Sequence, residues 1–172
     1  AYVGSCPVRV GDVVSFPTWQ MHSLQHGVRV IEFQTPHYER MIVMFGQKVL
    51  TQDHWNTEEA LAGMKPKVYQ PPQPELIWQR DGVCCERVVN FPDFDAFRLS
   101  IPAGKRIRLE GKGNYQLLMG VEGYGQLLVG GESCGTVRHE EGWMIPAVTD
   151  DCWLESRGTG DLICLQAIPK SS

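Results

Sequence analysis

The sequence is short of several features that would settle its class at once. No run approaches the roughly 18 apolar residues of a membrane-crossing helix, and no charged segment leads into an apolar one at the N-terminus. Neither a membrane anchor nor an export signal is therefore expected. Positive charge is not in excess either: 16 Lys and Arg stand against 20 Asp and Glu, for a formal net charge of −4. Without a basic footprint, nucleic acid is not an expected partner. The six cysteines (Cys6, Cys84, Cys85, Cys134, Cys152 and Cys164) contain no CxxC pair, which removes a zinc knuckle. No low-complexity tract occurs.

What is present suits a globular protein. A chain of 172 residues makes one domain or two small ones, and 42% hydrophobic residues can build a core without disulfide staples. The cysteines are accordingly expected to be reduced, in a cytoplasmic protein. Cys152 and Cys164 lie in apolar surroundings and read as buried thiols, while the adjacent Cys84 and Cys85 would point to opposite faces of a strand.

Up to residue 64 the chain mixes strand-like runs with turns. VRVGDVVSFP carries β-branched residues around Gly11-Asp12, and GVRVIEFQ, residues 27–34, has the pattern of a strand. YERMIVMFGQKVL, residues 38–50, is apolar without a clear period and fits strand at its start. NTEEALAGM, residues 56–64, predicts a short helix: Asn56 or Thr57 can cap it, Glu58 and Glu59 favour its first turn, and Gly63 lies near its end. KPKVYQPPQPE, residues 65–75, holds four prolines and reads as a linker and domain boundary.

From residue 76 onward everything is strand and turn. ELIWQRDG, CCERVVNF, DAFRLSI, KRIRLEG, NYQLLMGV, GYGQLLVGG, GTVRHEEG, WMIPAV, CWLESRG and DLICLQAI are short runs broken by Gly, Asp or Pro. About ten strands at a spacing of roughly 8–12 residues predict an antiparallel sandwich or jelly roll. In KRIRLEG, Ile107 and Leu109 share one face. Leu117, Leu118, Leu127, Leu128, Ile145 and Ile163 are candidate core residues. The Gly-rich GYGQLLVGGESCG is hairpin chemistry, since no helix follows it to hold a phosphate.

The stretch GDVVSFPTWQMH, residues 11–22, spaces Gly11, Pro17 and His22 in a particular way. On its own it is a strand, a proline turn and a surface histidine. It also resembles the second signature motif of cupins, G(X)5P(X)4H(X)3N, with His26 in place of the final Asn and Trp19 where many members carry a second Gly. PTWQMHSLQHGVRVIEFQ is similar to the segment of class I mannose-6-phosphate isomerases that reads P-x-G-T-x-H-A, then G, then a strand ending E-x-x or E-x-Q. NYQLLMGVEGYGQLLV and EEGWMIPAV resemble that family's C-terminal cupin hairpin and its iPA turn.

The resemblance implies an all-β cupin (RmlC-like) jelly-roll barrel over residues 76–172. Before it would come a partial N-terminal cupin segment over residues 1–64, with one short helix. It implies His22, with His26 beside it, as metal ligands, and zinc or another divalent transition metal as cofactor. Glu32 becomes the strand glutamate able to move a proton, and Gln34 a substrate-binding residue. Arg40 is the nearest match to the arginine that acts at the substrate. The implied ligand is a phosphosugar, and the implied reaction an aldose–ketose isomerisation.

The metal site is where the sequence departs from the pattern. No HxH occurs, and the two QxH strings, Gln20-Met21-His22 and Gln52-Asp53-His54, do not lie on a strand ahead of the second motif. In the second half, Gly142-x3-Pro146-x4 arrives at Asp151 where a histidine would sit. Catalytic zinc takes about three protein ligands, so a lone imidazole is too few. Two readings stand. One is a metal-dependent isomerase lineage that is inactive as this chain; the other is a non-catalytic sugar-binding or structural cupin without metal. His54 reads as part of the turn before the helix, Arg40 more readily as an exposed arginine pairing with Glu39 or Glu32 than as a phosphate clamp, and Glu32 equally as a strand residue paired with a cation. A first barrel without its opening strands predicts a homodimer, with residues 1–50 or the neighbouring sheet at the interface.

Overall fold

The computed structural model describes residues 4–35, 41–43, 54–66, 70–111 and 113–170. The chain divides into two compact units, Ala1–Pro71 and Pro72–Ser172. Among the described residues no helix is long and apolar enough to cross a membrane.

In the second unit each of the short runs forms a strand. They are β1 (Glu75–Arg80), β2 (Val83–Asn90), β3 (Phe94–Ile101), β4 (Arg106–Arg108), β5 (Gln116–Glu122), β6 (Tyr124–Val129), β7 (Glu132–Arg138), β8 (Gly142–Ile145), β9 (Cys152–Ser156) and β10 (Leu162–Pro169). Six of them make an antiparallel sheet in the order β1-β2-β3-β10-β5-β8, and four make a second in the order β4-β9-β6-β7. This is the expected all-β jelly roll.

Local chemistry explains the breaks. Asp81-Gly82 closes β1 onto β2 with φ of 50° and 84°, and Gly130-Gly131 closes β6 onto β7 with φ of 58° and 84°. Both are two-residue hairpin loops of the kind whose twist matches the strands they join. Between β5 and β6, Gly123 has φ 81°, and a Cβ there would stand 2.2 Å from the Asp161 carbonyl oxygen. Only glycine fits.

The core lies between the two sheets. Leu99, Ile101, Leu118, Leu162 and Cys164 from the six-stranded sheet meet Ile107, Leu127, Val137, Cys152 and Leu154 from the four-stranded one. Each fully buried aliphatic side chain contributes about 1.5–3 kcal/mol. All six cysteines are free thiols: Cys85, Cys152 and Cys164 are buried, Cys84 is half-buried, and Cys6 and Cys134 are exposed. Burial pushes the Cys164 thiol up to about 12 and raises that of Cys152 as well.

The pleat corrects part of the expected core. Leu118 and Ile145 are buried, but Leu117 faces outward and is 37% exposed. Ile163 is also turned away from the core, between inward Leu162 and Cys164, and is half-buried. Leu127 and Leu128 are both buried, yet only Leu127 belongs to the core. Leu128 pairs with Trp153 on the outer face and is covered there. Period-two alternation allows one inward residue in each such pair, and the sequence pattern does not say which.

In the first unit the helix is α1 (Thr57–Gly63), and no described residue before it belongs to a strand. The strand expected over residues 27–34 is thus not formed: Val28 and Val30 are exposed and make no ladder. Alternation alone does not create a strand, because the backbone needs a neighbour to bond. Residues 36–40 and 44–53, which hold most of the apolar run 38–50, lie outside the described residues. At α1, Asn56 occupies the N-cap position with no side-chain cap hydrogen bond, and its Nδ2 donates to the Glu59 carboxylate at 3.3 Å. Its Oδ1 accepts the Ile42 N–H at 3.2 Å, and Thr57 Oγ1 donates to the Val43 carbonyl at 2.9 Å. Both side chains tie the helix start to residues 42–43.

Candidate functional site

Three tight turns hold the motif that drew attention in the sequence. The Asp12 N–H bonds the Arg9 carbonyl, Gln20 bonds Pro17, and Val28 bonds Gln25. In each, the third residue has positive φ: Gly11 at 90°, Trp19 at 69° and Gly27 at 83°. Such turns favour glycine there. Trp19 therefore adopts the glycine-like backbone that its place in the cupin pattern implies. Its ring packs where a Cβ on Gly63 would be, 2.3 Å away, at the end of α1.

His22 follows the second turn and is exposed. Its ring stacks on Phe16, with centroids 4.0 Å apart and 10° between planes. Its Nδ1 lies 2.9 Å from the Gln20 carbonyl oxygen. A carbonyl only accepts, so this partner assigns the proton to Nδ1 and leaves the Nε2 lone pair available. Metal-binding histidines are commonly oriented in this way. His26 sits in the third turn, four residues on, and is exposed, as are Glu32 and Gln34. Arg40 lies outside the described residues, so its relation to Glu32 and Gln34 is not part of this geometry. His54, also exposed, precedes α1 at a bend.

Zinc requires donors converging at about 2.0–2.2 Å. Among the described residues, no three His, Cys, Asp or Glu side chains stand together in that way. The donor set does not fit a transition metal, and one bound at His22 would need further ligands from outside the described residues. In the barrel, the position equivalent to a motif histidine is Asp151. It is exposed, and its Oδ1 accepts the Trp153 indole N–H at 2.8 Å, which turns it to the outer face of the four-stranded sheet.

Inside the barrel the sequence reading missed a polar pair. Gln116 on β5 and Gln166 on β10 are buried among the apolar side chains, and the Gln166 amide donates to Gln116 Oε1. The available signal was parity. Each glutamine is two residues from a buried apolar side chain, Gln116 from Leu118 and Gln166 from Cys164, and so shares its inward face.

No protein-family model matches this sequence, and no curated protein matches it either. Solved structures do. Mannose 6-phosphate isomerase from Bacillus subtilis is 15% identical with a TM-score of 0.55, over 67% of this chain and 34% of that one. This chain thus spans about a third of that enzyme's length. A sugar phosphate isomerase of the cupin superfamily from Silicibacter pomeroyi is 11% identical with a TM-score of 0.46, over 58% of this chain and 72% of its own. An RmlC-like cupin with a double-stranded β-helix fold from Methanocaldococcus jannaschii is 16% identical with a TM-score of 0.45, over 62% and 92% of the two chains. Identities this low speak for fold and for nothing finer. What the chain shares with that isomerase is its fold, a β jelly roll of the cupin type.

Proposed function

We propose that this chain is a non-catalytic cupin of the mannose-6-phosphate isomerase type, built to hold a phosphosugar or related small molecule rather than to turn it over. One observation carries this reading. The inward faces of the barrel strands are filled by Leu99, Leu118, Leu127, Val137, Leu154 and their neighbours, and the inward amides Gln116 and Gln166 bond to each other. The charged groups on that face, Arg87 and Asp95 on either side of Phe97, are held in ion pairs, Arg87 with Glu75 and Asp95 with Lys170 at 3.2 Å. A sugar isomerase needs a group that polarises the carbonyl and a base that moves the proton. Apolar side chains, a self-satisfied amide pair and charges already held in ion pairs supply neither.

A second reading has its own support. His22 is held by Phe16 and Gln20 with Nε2 turned free, as a ligand or a hydrogen-bond acceptor would be. Here the chain is the back portion of a metal-dependent isomerase, and Glu32, Gln34 and Arg40 serve the substrate once the missing donors are supplied. Two measurements separate the readings. The first is isomerase turnover of mannose 6-phosphate in the presence of zinc; the second is the melting temperature with and without zinc, for the parent and for His22→Ala. The non-catalytic reading expects no turnover and no zinc-dependent rise specific to His22. Turnover that disappears in His22→Ala would sink it, and so would a zinc-dependent rise lost in that variant, because a ligand binding only the folded state must stabilise it.

A further inference from the structure

We propose that the outer face of the four-stranded sheet docks an extended acidic peptide of a partner protein. This surface uses none of the residues of the phosphosugar reading and goes beyond it. In a chain whose net charge is −4, the middle rows of this face carry more arginine than carboxylate. On β4, Arg106 and Arg108 are exposed on either side of buried Ile107. Across the strands Arg106 pairs with Glu155, Glu155 with Gln126, and Gln126 with Thr136. Tyr124 pairs with Arg138 in the next row, and exposed Arg157 follows β9. Within these rows the only carboxylate is Glu155, and Arg157 Nη2 holds it at 2.9 Å. Arg106, Arg108 and Arg138 are left for a ligand. Glu110 and Asp151, just beyond the strands, make the Trp153 end acidic, so the ligand crosses through the rows of Arg106, Arg157 and Arg138.

The chemistry selects a peptide. A pleated sheet face offers no concavity, which a small molecule would need. Nucleic-acid bases and sugar rings would need an open aromatic face. Here the Arg106 guanidinium lies 4.7 Å from the centre of the Trp153 ring, and that of Arg138 lies 5.5 Å from Tyr124. Both rings are already covered. They serve instead to hold the guanidinium planes, which lowers the entropy lost on binding. Arginine forks so held match carboxylates bidentately.

The test titrates fluorescent oligoglutamate into the full chain at low and moderate salt, with oligo(dT) and a heparin fragment in parallel. Saturable peptide binding that weakens with salt is expected, because exposed charge pairs are screened. Arg106→Glu with Arg108→Glu should weaken it about ten-fold or more, and Arg138→Glu about three-fold. Lys65→Glu, in the other unit, should leave it unchanged. Far-UV circular dichroism checks each fold, and Arg106→Gln with Arg108→Gln replaces the double reversal if that variant misfolds. Absence of saturable binding, or binding indifferent to these arginines, overturns the proposal. Tighter binding of oligo(dT) or heparin than of the peptide also overturns it.

Discussion

In the unit after Pro72 the backbone hydrogen bonds run from strand to strand, whereas in the unit before it the described ones close turns and a two-turn helix. The barrel core buries Leu99, Ile101, Leu118, Leu154 and Leu162 to 1% exposure or less; the N-terminal unit leaves Val10, Val28 and Val30 exposed. Stability is therefore concentrated in the barrel, while the motif that resembles a functional signature stands on the less buried part. A scaffold and a presenting surface have different tolerances.

The largest expected effect tests that concentration. Leu154→Ala or Leu99→Ala should cost about 2–5 kcal/mol in urea unfolding, because each empties a well-packed site. Val30→Ala should stay within about 0.5 kcal/mol. Equal costs in both would break the comparison.

Glycines sharpen it next. Gly123→Ala should cost about 1–3 kcal/mol, since it meets both a positive φ and the Asp161 carbonyl. Gly27→Ala shares the positive φ but has open space around its Cβ, so the smaller loss is expected there. Thermal melts of the two variants decide the order.

A third effect depends on pH. Burial raises the Cys164 thiol from 9.0 to about 12 in the folded state. A raised folded value means stability that is fully present below the unfolded value and lost as pH climbs through the folded one. Between pH 9 and 12 the barrel should weaken, by about 1.4 kcal/mol at pH 10 from this thiol alone. Cys164→Val should flatten that part of the profile. The same burial predicts that a thiol reagent at neutral pH labels Cys6 and Cys134 first, Cys84 more slowly, and Cys85, Cys152 and Cys164 only on unfolding.

The smallest effect belongs to His22→Ala. Exposed and held by one stack and one hydrogen bond, His22 should contribute less than about 0.5 kcal/mol to unfolding. A larger loss would mean that the N-terminal unit leans on this residue for its fold.

Much of the barrel was legible in the sequence because its turns announce themselves. Asp81-Gly82 and Gly130-Gly131 can hardly do anything but close hairpins, and the runs between such signals became strands. Which of two neighbouring apolar residues points inward was not legible: Leu117 lost to Leu118, and Ile163 to Leu162 and Cys164. GVRVIEFQ failed for a different reason, since a strand is made by its neighbour and sequence does not supply one. At the candidate site, the motif marked Trp19 only as standing where many cupins carry Gly, and the structure gives it a glycine-like φ of 69°. The motif carried no information on whether donors converge, which is decided by side chains far apart in the chain. The arginine-bearing face was visible in KRIRLEG all along; reading Ile107 and Leu109 as core left Arg106 and Arg108 on the other side unasked about.

The placement of β10 has a consequence for how this unit comes into being. It lies between β3 and β5, bonded to both, although it is the last strand of the unit in chain order. During synthesis β3 and β5 must therefore wait with unsatisfied edges until residues 162–169 emerge, and no half-barrel can be completed ahead of them. Pairings so distant in sequence are slow to form and leave sticky edges open meanwhile. The barrel is closed from its middle, by its final piece.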